Sequence, residues 1–414
     1  MGRVLAAVLL LAGAALGDSL LDRIRATRKA RLAGDNKTWL EEGKKALALA
    51  PEHPDLLVSV ARAQALNGNF AASLELLKEA IDRGAGVDLA RVDQFKLLPP
   101  SPDLDELTAR SRANLAAVPR AQPFAAIPDA TARPEGVEYD PLSRRVFTGT
   151  VHGEILVVDP AGAVSTFVAR GGPLREVLGI KVDARRRLLW AATGVFPEFA
   201  GEAQQKPDAG ISGVVAYSLK NGKLVRQIWL DERPVLHGFN DLALARNGDV
   251  YVTDTIQSSV YRLRRGKLSL LLRDERMSLP NWIVLTPDQR RLYVATAEGL
   301  TLIDLQTGKP RPVQVPRNAA VNGIDGLSWD RGALIGVQGT PYLARVVRIE
   351  LSPDGASVTR LVTLNARTPP EYSQTTAAVG DGFIYVVASE PAIDTTGAPL
   401  ATSSKPQIVR IPLR

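Results

Sequence analysis

From about Pro123 onward the sequence repeats one pattern. An approach segment is followed by a short β-branched strand, a turn rich in Gly, Asn or Asp, and a second strand. The repeats start near Glu135, Gly179, Asn240, Asn281, Asp325 and Thr375, at intervals of 44, 61, 41, 44 and 50 residues. This recurrence constrains the fold more than any other feature. One such unit cannot bury both faces of its own small sheet, so neighbouring units must cover each other. Six units of 40–50 residues fit four-stranded blades set radially around an axis, a six-bladed β-propeller and a mainly β fold. A large β-sandwich would account for the strands but not for the recurring starts. The long second interval holds the polar stretch Phe199–Ser212, which reads as an insertion loop. Phe124–Ile127 is expected to close the ring by joining the last blade.

Residues 18–120 follow a different period. Ala, Leu, Glu, Lys and Arg dominate, and apolar residues recur at spacings of three and four, the signature of helices. Gly34-Asp35 corresponds to Gly68-Asn69, and Ala46 to Ala80, each at an offset of 34 residues. That period, with a small residue at the turn, resembles a tetratricopeptide helix pair, although the aromatic positions of that motif are mostly absent. A further helix is expected over Leu104–Leu115, after the break Leu98-Pro99-Pro100-Ser101-Pro102. Fewer than three repeats rarely stand alone, so this small α-helical, tetratricopeptide-like module should lean on the propeller. Its expected role is structural or partner-binding.

The first seventeen residues read as an address. Arg3 supplies a positive start, Val4–Ala15 is nearly all Ala, Val and Leu, and Ala15-Leu16-Gly17 offers small residues for cleavage. The expected organisation is a signal peptide over 1–17, the helical module over 18–120 and the propeller over 121–414. The expected location is periplasmic or secreted, with no integral membrane segment once the leader is removed.

Composition narrows the chemistry. The chain of 414 residues has no cysteine and only three histidines, His53, His152 and His237. Thiol catalysis and Cys- or His-rich metal sites are therefore excluded, and a bound metal must be held mainly by oxygen. The net charge of +7 has no concentrated basic run, which argues against a nucleic-acid partner. No Gly-x-Ser-x-Gly elbow, His-Glu-x-x-His helix or phosphate loop occurs.

The repeat starts carry specific residues: Arg133-Pro134-Glu135-Gly136-Val137, Phe239-Asn240-Asp241-Leu242, Leu279-Pro280-Asn281-Trp282, Ile324-Asp325-Gly326-Leu327 and Gln374-Thr375-Thr376-Ala377. With Asn247-Gly248-Asp249-Val250-Tyr251 and Thr286-Pro287-Asp288-Gln289, this series resembles the SMP-30/gluconolactonase/luciferin-regenerating-enzyme-like family of propellers over residues 125–414. The resemblance implies a divalent cation on the central axis, held by Glu135, Asn281 and Asp325, with Asn240 beside them on metal or substrate. Two carboxylates and two amides suit Ca²⁺ first, with Mg²⁺, Mn²⁺ or Zn²⁺ as alternatives.

The activity so implied is hydrolysis of a lactone or related ester, with a small-molecule substrate in the axial cleft and the cation polarising its carbonyl or activating water. Asp241 is then the candidate general base, and His237, three residues before Asn240, a candidate proton shuttle. Asp254 reads as structural, and Trp190, Trp229 and Trp329 as packing. Glu135, Asn281 and Asp325 also each sit where a turn residue would. The chain departs from the family at Gly238, where an Arg often contacts substrate, at Trp282, where a Gly is usual, and at Gln374, where a Pro begins the motif. Sugar-lactone specificity is therefore not carried over. The competing reading is a non-catalytic propeller that binds a small ligand, or a protein partner through its helical module, and holds only a structural cation.

Overall fold

The computed structural model describes residues 19–196, 208–369, 372–391 and 405–413. The leader Met1–Gly17 and most of the Phe199–Ser212 stretch lie outside the described residues. Among the described residues, no helix is long and apolar enough to cross a membrane.

Five helices come first: α1 Leu20–Leu32, α2 Asn36–Leu49, α3 Pro54–Leu66, α4 Phe70–Asp82 and α5 Pro102–Asn114. Their starts are set by local chemistry. Ser19, Asp35 and Ser101 accept backbone N–H groups at the starts of α1, α2 and α5, and proline opens α3 and α5. Asp35 is thus the cap of α2. The starts of α1 and α3, and of α2 and α4, lie 34 residues apart. The turns between them place Gly34 and Gly68 at φ of 71° and 75°, a conformation that glycine adopts without a side-chain clash.

The rest of the chain forms six four-stranded antiparallel sheets. This is a six-bladed β-propeller, as the spacing of the starts implies. The inner strands are Pro134–Asp140, Glu176–Asp183, Phe239–Leu244, Ile283–Leu285, Ile324–Asp330 and Tyr372–Gly380, for blades one to six. Every repeat start read from the sequence falls on its inner strand or, for Asn281, two residues before it. In blades one to five the four strands follow in chain order from the axis outward. In blade six the outermost strand is Gln122–Ala126, paired with Gln407–Pro412. The N-terminal strand therefore completes the last blade and closes the ring.

The blades are held by apolar contacts between neighbouring sheets. Trp190 and Val214 of blade two pack with Phe239, Val252 and Tyr261 of blade three. Trp282 and Tyr293 of blade four pack with Leu327 and Val347 of blade five. Trp190 is buried as expected. Trp329 also packs, half-buried against the seam between blades four and five and stacked on Tyr293, while lining the axial channel.

Up-and-down connectivity puts two kinds of connection on the face where the inner strands begin, called here the upper face. These are the turns between second and third strands and the links from each outer strand to the next inner one. The helical region rests on such connections. Ala297 packs with Leu20, Ala50 and Leu56, Tyr342 enters the core formed by Leu57, Leu77 and Phe95, and Val118 bridges to Ala366. Arg345, at the start of the third strand of blade five, lies against Gly84 just beyond the end of α4 and donates to Gln338 Oε1 at 2.7 Å. The helices therefore stand on the upper face, over blades four and five.

Candidate axial site

The inner strands share one irregularity. Pairing with the second strand breaks between Pro134 and Val137, Val177 and Ile180, Phe239 and Leu242, Ile324 and Gly326, and Gln374 and Ala377. The residues left outside the ladder are Glu135-Gly136, Leu178-Gly179, Asn240-Asp241, Asp325 and Thr375-Thr376. Such bulges re-aim side chains and recur beside functional sites. In blade four the equivalent stretch is Asn281-Trp282, just ahead of the ladder, where Asn281 N–H donates to the Ala295 carbonyl at 2.8 Å.

The six irregular stretches touch in sequence around the axis. Gly136 abuts the Leu178 carbonyl, and a Cβ on Gly179 would stand 2.5 Å from the Asn240 carbonyl. Asp241 Oδ2 accepts the Ile283 N–H at 3.2 Å, and Thr253 Oγ1 donates to the Asn281 carbonyl at 2.6 Å. Asn281 Nδ2 donates to Asp325 Oδ1 at 2.6 Å. A Cβ on Gly326 would meet Thr376 Cα at 2.6 Å, and Thr376 Oγ1 donates to the Glu135 carbonyl. The result is a closed ring of backbone and side chains at the upper end of the channel.

The four residues named from sequence as metal ligands lie on this ring. Asn281 and Asp325 are in direct contact. Asn240 Nδ2 donates to Thr255 Oγ1 at 3.2 Å, and that hydroxyl donates to the Pro280 carbonyl at 2.7 Å, next to Asn281. Glu135 is tied in through its carbonyl. Among the described residues no group of three or more His, Cys, Asp or Glu gathers into a metal-sized cluster; the ring set has two carboxylates, Glu135 and Asp325. A direct sign that the ring suits a cation is Asn281 Oδ1, which is buried and has no hydrogen-bond partner while its Nδ2 is engaged. An unpaired buried carbonyl oxygen is costly unless something positive meets it.

Asp241 faces the Ile283 N–H of blade four with one carboxylate oxygen and the Lys181 ammonium of blade two with the other. It is fully buried, and burial pushes its carboxyl up to about 6, with Lys181 pulling the other way. Lys181 Nζ lies 3.4 Å from Asp241 Oδ1, 3.6 Å from Glu138 Oε2, and 4.9 Å above the Trp282 ring. Burial also raises the Glu138 carboxyl. Glu138 and Lys181 line a cavity of about 240 Å³ with Ser328 and Trp329. These two residues were missed by the sequence reading. The available signal was a charge in the middle of a strand assigned to the inner position, where side chains face either the channel or a neighbouring blade.

Trp282 does not fill the mouth of the ring. It is fully buried in the seam between blades four and five, with one face turned to Lys181.

His237 sits outside the ring, fully buried. Its Nδ1 is 2.6 Å from Asp254 Oδ2, its Nε2 is 3.2 Å from Glu232 Oε2, and Phe239 and Tyr261 flank its ring. Burial opposes the charged ring, but Asp254 and Glu232 outweigh it and raise the imidazole above its ordinary value. Asp254 also accepts the Gly238 N–H at 2.9 Å, so it braces the segment leading into Asn240.

No protein-family model matches the chain, and no curated protein is similar to it in sequence. Solved structures are similar in fold. A gluconolactonase from Xanthomonas campestris is 18% identical, covering 73% of this chain and 92% of its own, with a TM-score of 0.49. Regucalcin from Agrobacterium tumefaciens, described as calcium-binding, is 18% identical over 70% of this chain and 94% of its own, with a TM-score of 0.49. Streptogramin B lyase is 18% identical over 71% and 87%, with a TM-score of 0.46. At these identities the likeness is one of propeller architecture.

Proposed function

We propose that the protein is a metal-dependent hydrolase of a lactone or related ester, acting in the periplasm or outside the cell. The observation that carries this reading is the closed ring that joins Glu135, Asn240, Asn281 and Asp325, with Asn281 Oδ1 buried and unmet. The motif series supports it, because those residues occupy the ligand positions of gluconolactonase-like propellers. Glu135, Asn240, Asn281 and Asp325 would hold the cation, and their all-oxygen character suits Ca²⁺ best. When bound, the cation supplies Lewis-acid polarisation of a carbonyl.

The chain's own residues do the rest. Thr255 orients the Asn240 amide, and Asn281 and Asp325 fix each other. Asp241, adjacent to Asn240, is the proton acceptor in this reading. The helical region walls the upper face over blades four and five, and its repeat offset of 34 residues supports a tetratricopeptide-like module. The experiment is hydrolysis of a lactone and aryl-ester panel with and without chelator, in the wild type and in Asp325→Ala. Activity lost under both treatments supports the reading; activity indifferent to both refutes it.

One observation favours the second reading, a ligand-binding propeller without catalysis. Both oxygens of Asp241 are turned inward, one to Ile283 N–H and one to Lys181, and the residue has no exposed surface. A chain that binds calcium at the ring yet hydrolyses nothing in the panel would establish it.

A further inference from the structure

Below the ring the channel holds an ammonium group where a free ion would fit. Lys181 Nζ lies between two carboxylates, 3.4 Å from Asp241 Oδ1 and 3.6 Å from Glu138 Oε2, and faces the Trp282 ring at 4.9 Å. Asp241 is fully buried, and its Oδ1 makes no hydrogen bond, so Lys181 is the charge that meets that oxygen. The Lys181 side chain is itself only 15% exposed. Its four-carbon stem reaches in from the inner strand of blade two, and the compact ammonium on its tip behaves as a point charge. An aromatic face below a cation adds to its attraction. Two carboxylates facing one point are what a hard cation binds, and here the point is already taken by a charge that the protein's own Lys181 side chain supplies.

We propose that the Lys181 ammonium is a tethered counter-ion, filling a position between Glu138 and Asp241 that would otherwise hold a free cation. An exchangeable divalent ion is thereby confined to the ring above. This second clause rests on the metal reading of the ring; the first does not. Lys181 is a positioning residue in this role. It keeps Asp241 from becoming a metal ligand and leaves that carboxylate in place beside Asn240.

The test is calorimetric titration of the full chain with calcium chloride, in the wild type, Lys181→Met, Lys181→Arg, Asp325→Ala and the double variant Lys181→Met with Asp325→Ala. Lys181→Met is expected to bind one more calcium per chain than the wild type. That extra ion should persist in the double variant and be absent from Lys181→Arg, which keeps the charge. If Lys181→Met binds no more calcium than the wild type, or Lys181→Arg gains the same ion, the proposal is overturned. Equal binding by the wild type and Asp325→Ala would overturn the metal reading of the ring instead, while the comparison with the double variant still decides the role of Lys181. Should Lys181→Met unfold without calcium, its melting temperature supplies the same answer. A rise with added calcium that Lys181→Arg does not show supports the proposal, and its absence overturns it.

Discussion

Asn281 donates its side-chain amide to Asp325 at 2.6 Å across the seam between the fourth and fifth blades. The bond joins two residues 44 positions apart and leaves the Asn281 carbonyl oxygen buried with nothing to meet it. Asp325→Ala removes one ring carboxylate and frees the amide at once. We expect kcat/KM on any lactone or ester the protein hydrolyses to fall by roughly 100-fold or more, a loss of about 3 kcal/mol or more in transition-state stabilisation. Steady-state kinetics at saturating calcium check this. Asp325→Asn, which retains hydrogen-bonding capacity but not charge, should recover folding without recovering rate.

The ring also carries stability. Thr376 is buried and donates to the Glu135 carbonyl, one of the contacts that join the last blade to the first. Thr376→Val keeps the shape and orphans that carbonyl. It should cost about 1–3 kcal/mol in urea denaturation, whereas the exposed Thr359→Val should change stability by less than about 0.5 kcal/mol.

Gly179 tests the tightness of the same ring. A methyl group there would stand 2.5 Å from the Asn240 carbonyl and 2.6 Å from Asp241 Cα, both backbone atoms that cannot swing aside. Gly179→Ala should therefore destabilise the protein by roughly 1–3 kcal/mol and weaken calcium binding as the bulge holding Asn240 is pushed back. Chemical denaturation and calorimetry read the two effects separately.

The seam between helices and propeller should respond to pH in a way that single variants expose. Burial pushes the Asp55 carboxyl up to about 7 and the His53 imidazole down to about 4. Both residues keep some exposed surface, but Asp55 Oδ1 is sealed from solvent. A raised carboxyl favours the folded state most below its unfolded value near 4 and loses that contribution as pH rises to about 7. A lowered imidazole favours it above about 6.5 and loses that contribution as pH falls to about 4. The two trends oppose each other between pH 4 and 6.5. In Asp55→Asn the melting temperature should rise with pH across that window. In His53→Asn, which retains a capping side chain for α3, it should fall.

The propeller was legible in the sequence because each blade begins with the same awkward local demand. A strand must leave its ladder for one or two residues, close to a neighbouring backbone, and the chain answers with Gly136, Gly179, Gly326 and the polar residues beside them. That demand shows as a motif that recurs every 41 to 61 residues. The helix pairs were legible from Gly34 and Gly68 for a similar reason. Lys181 and Glu138 were not, since nothing local marks them. Their meaning comes from two inner strands, 43 positions apart in sequence, facing one channel. The burial of Arg345 is hidden for the same reason: its strand alternates like any other, and only the docked end of α4 explains it.

The central claim is that the ring holds a divalent cation. Manganese soaked into crystals of the full chain would show it directly by anomalous scattering. The expected result is one peak on the axis, within about 2.0–2.6 Å of oxygens from Glu135, Asn240, Asn281 and Asp325. A peak elsewhere, or none while Asn281 still donates to Asp325, would contradict it.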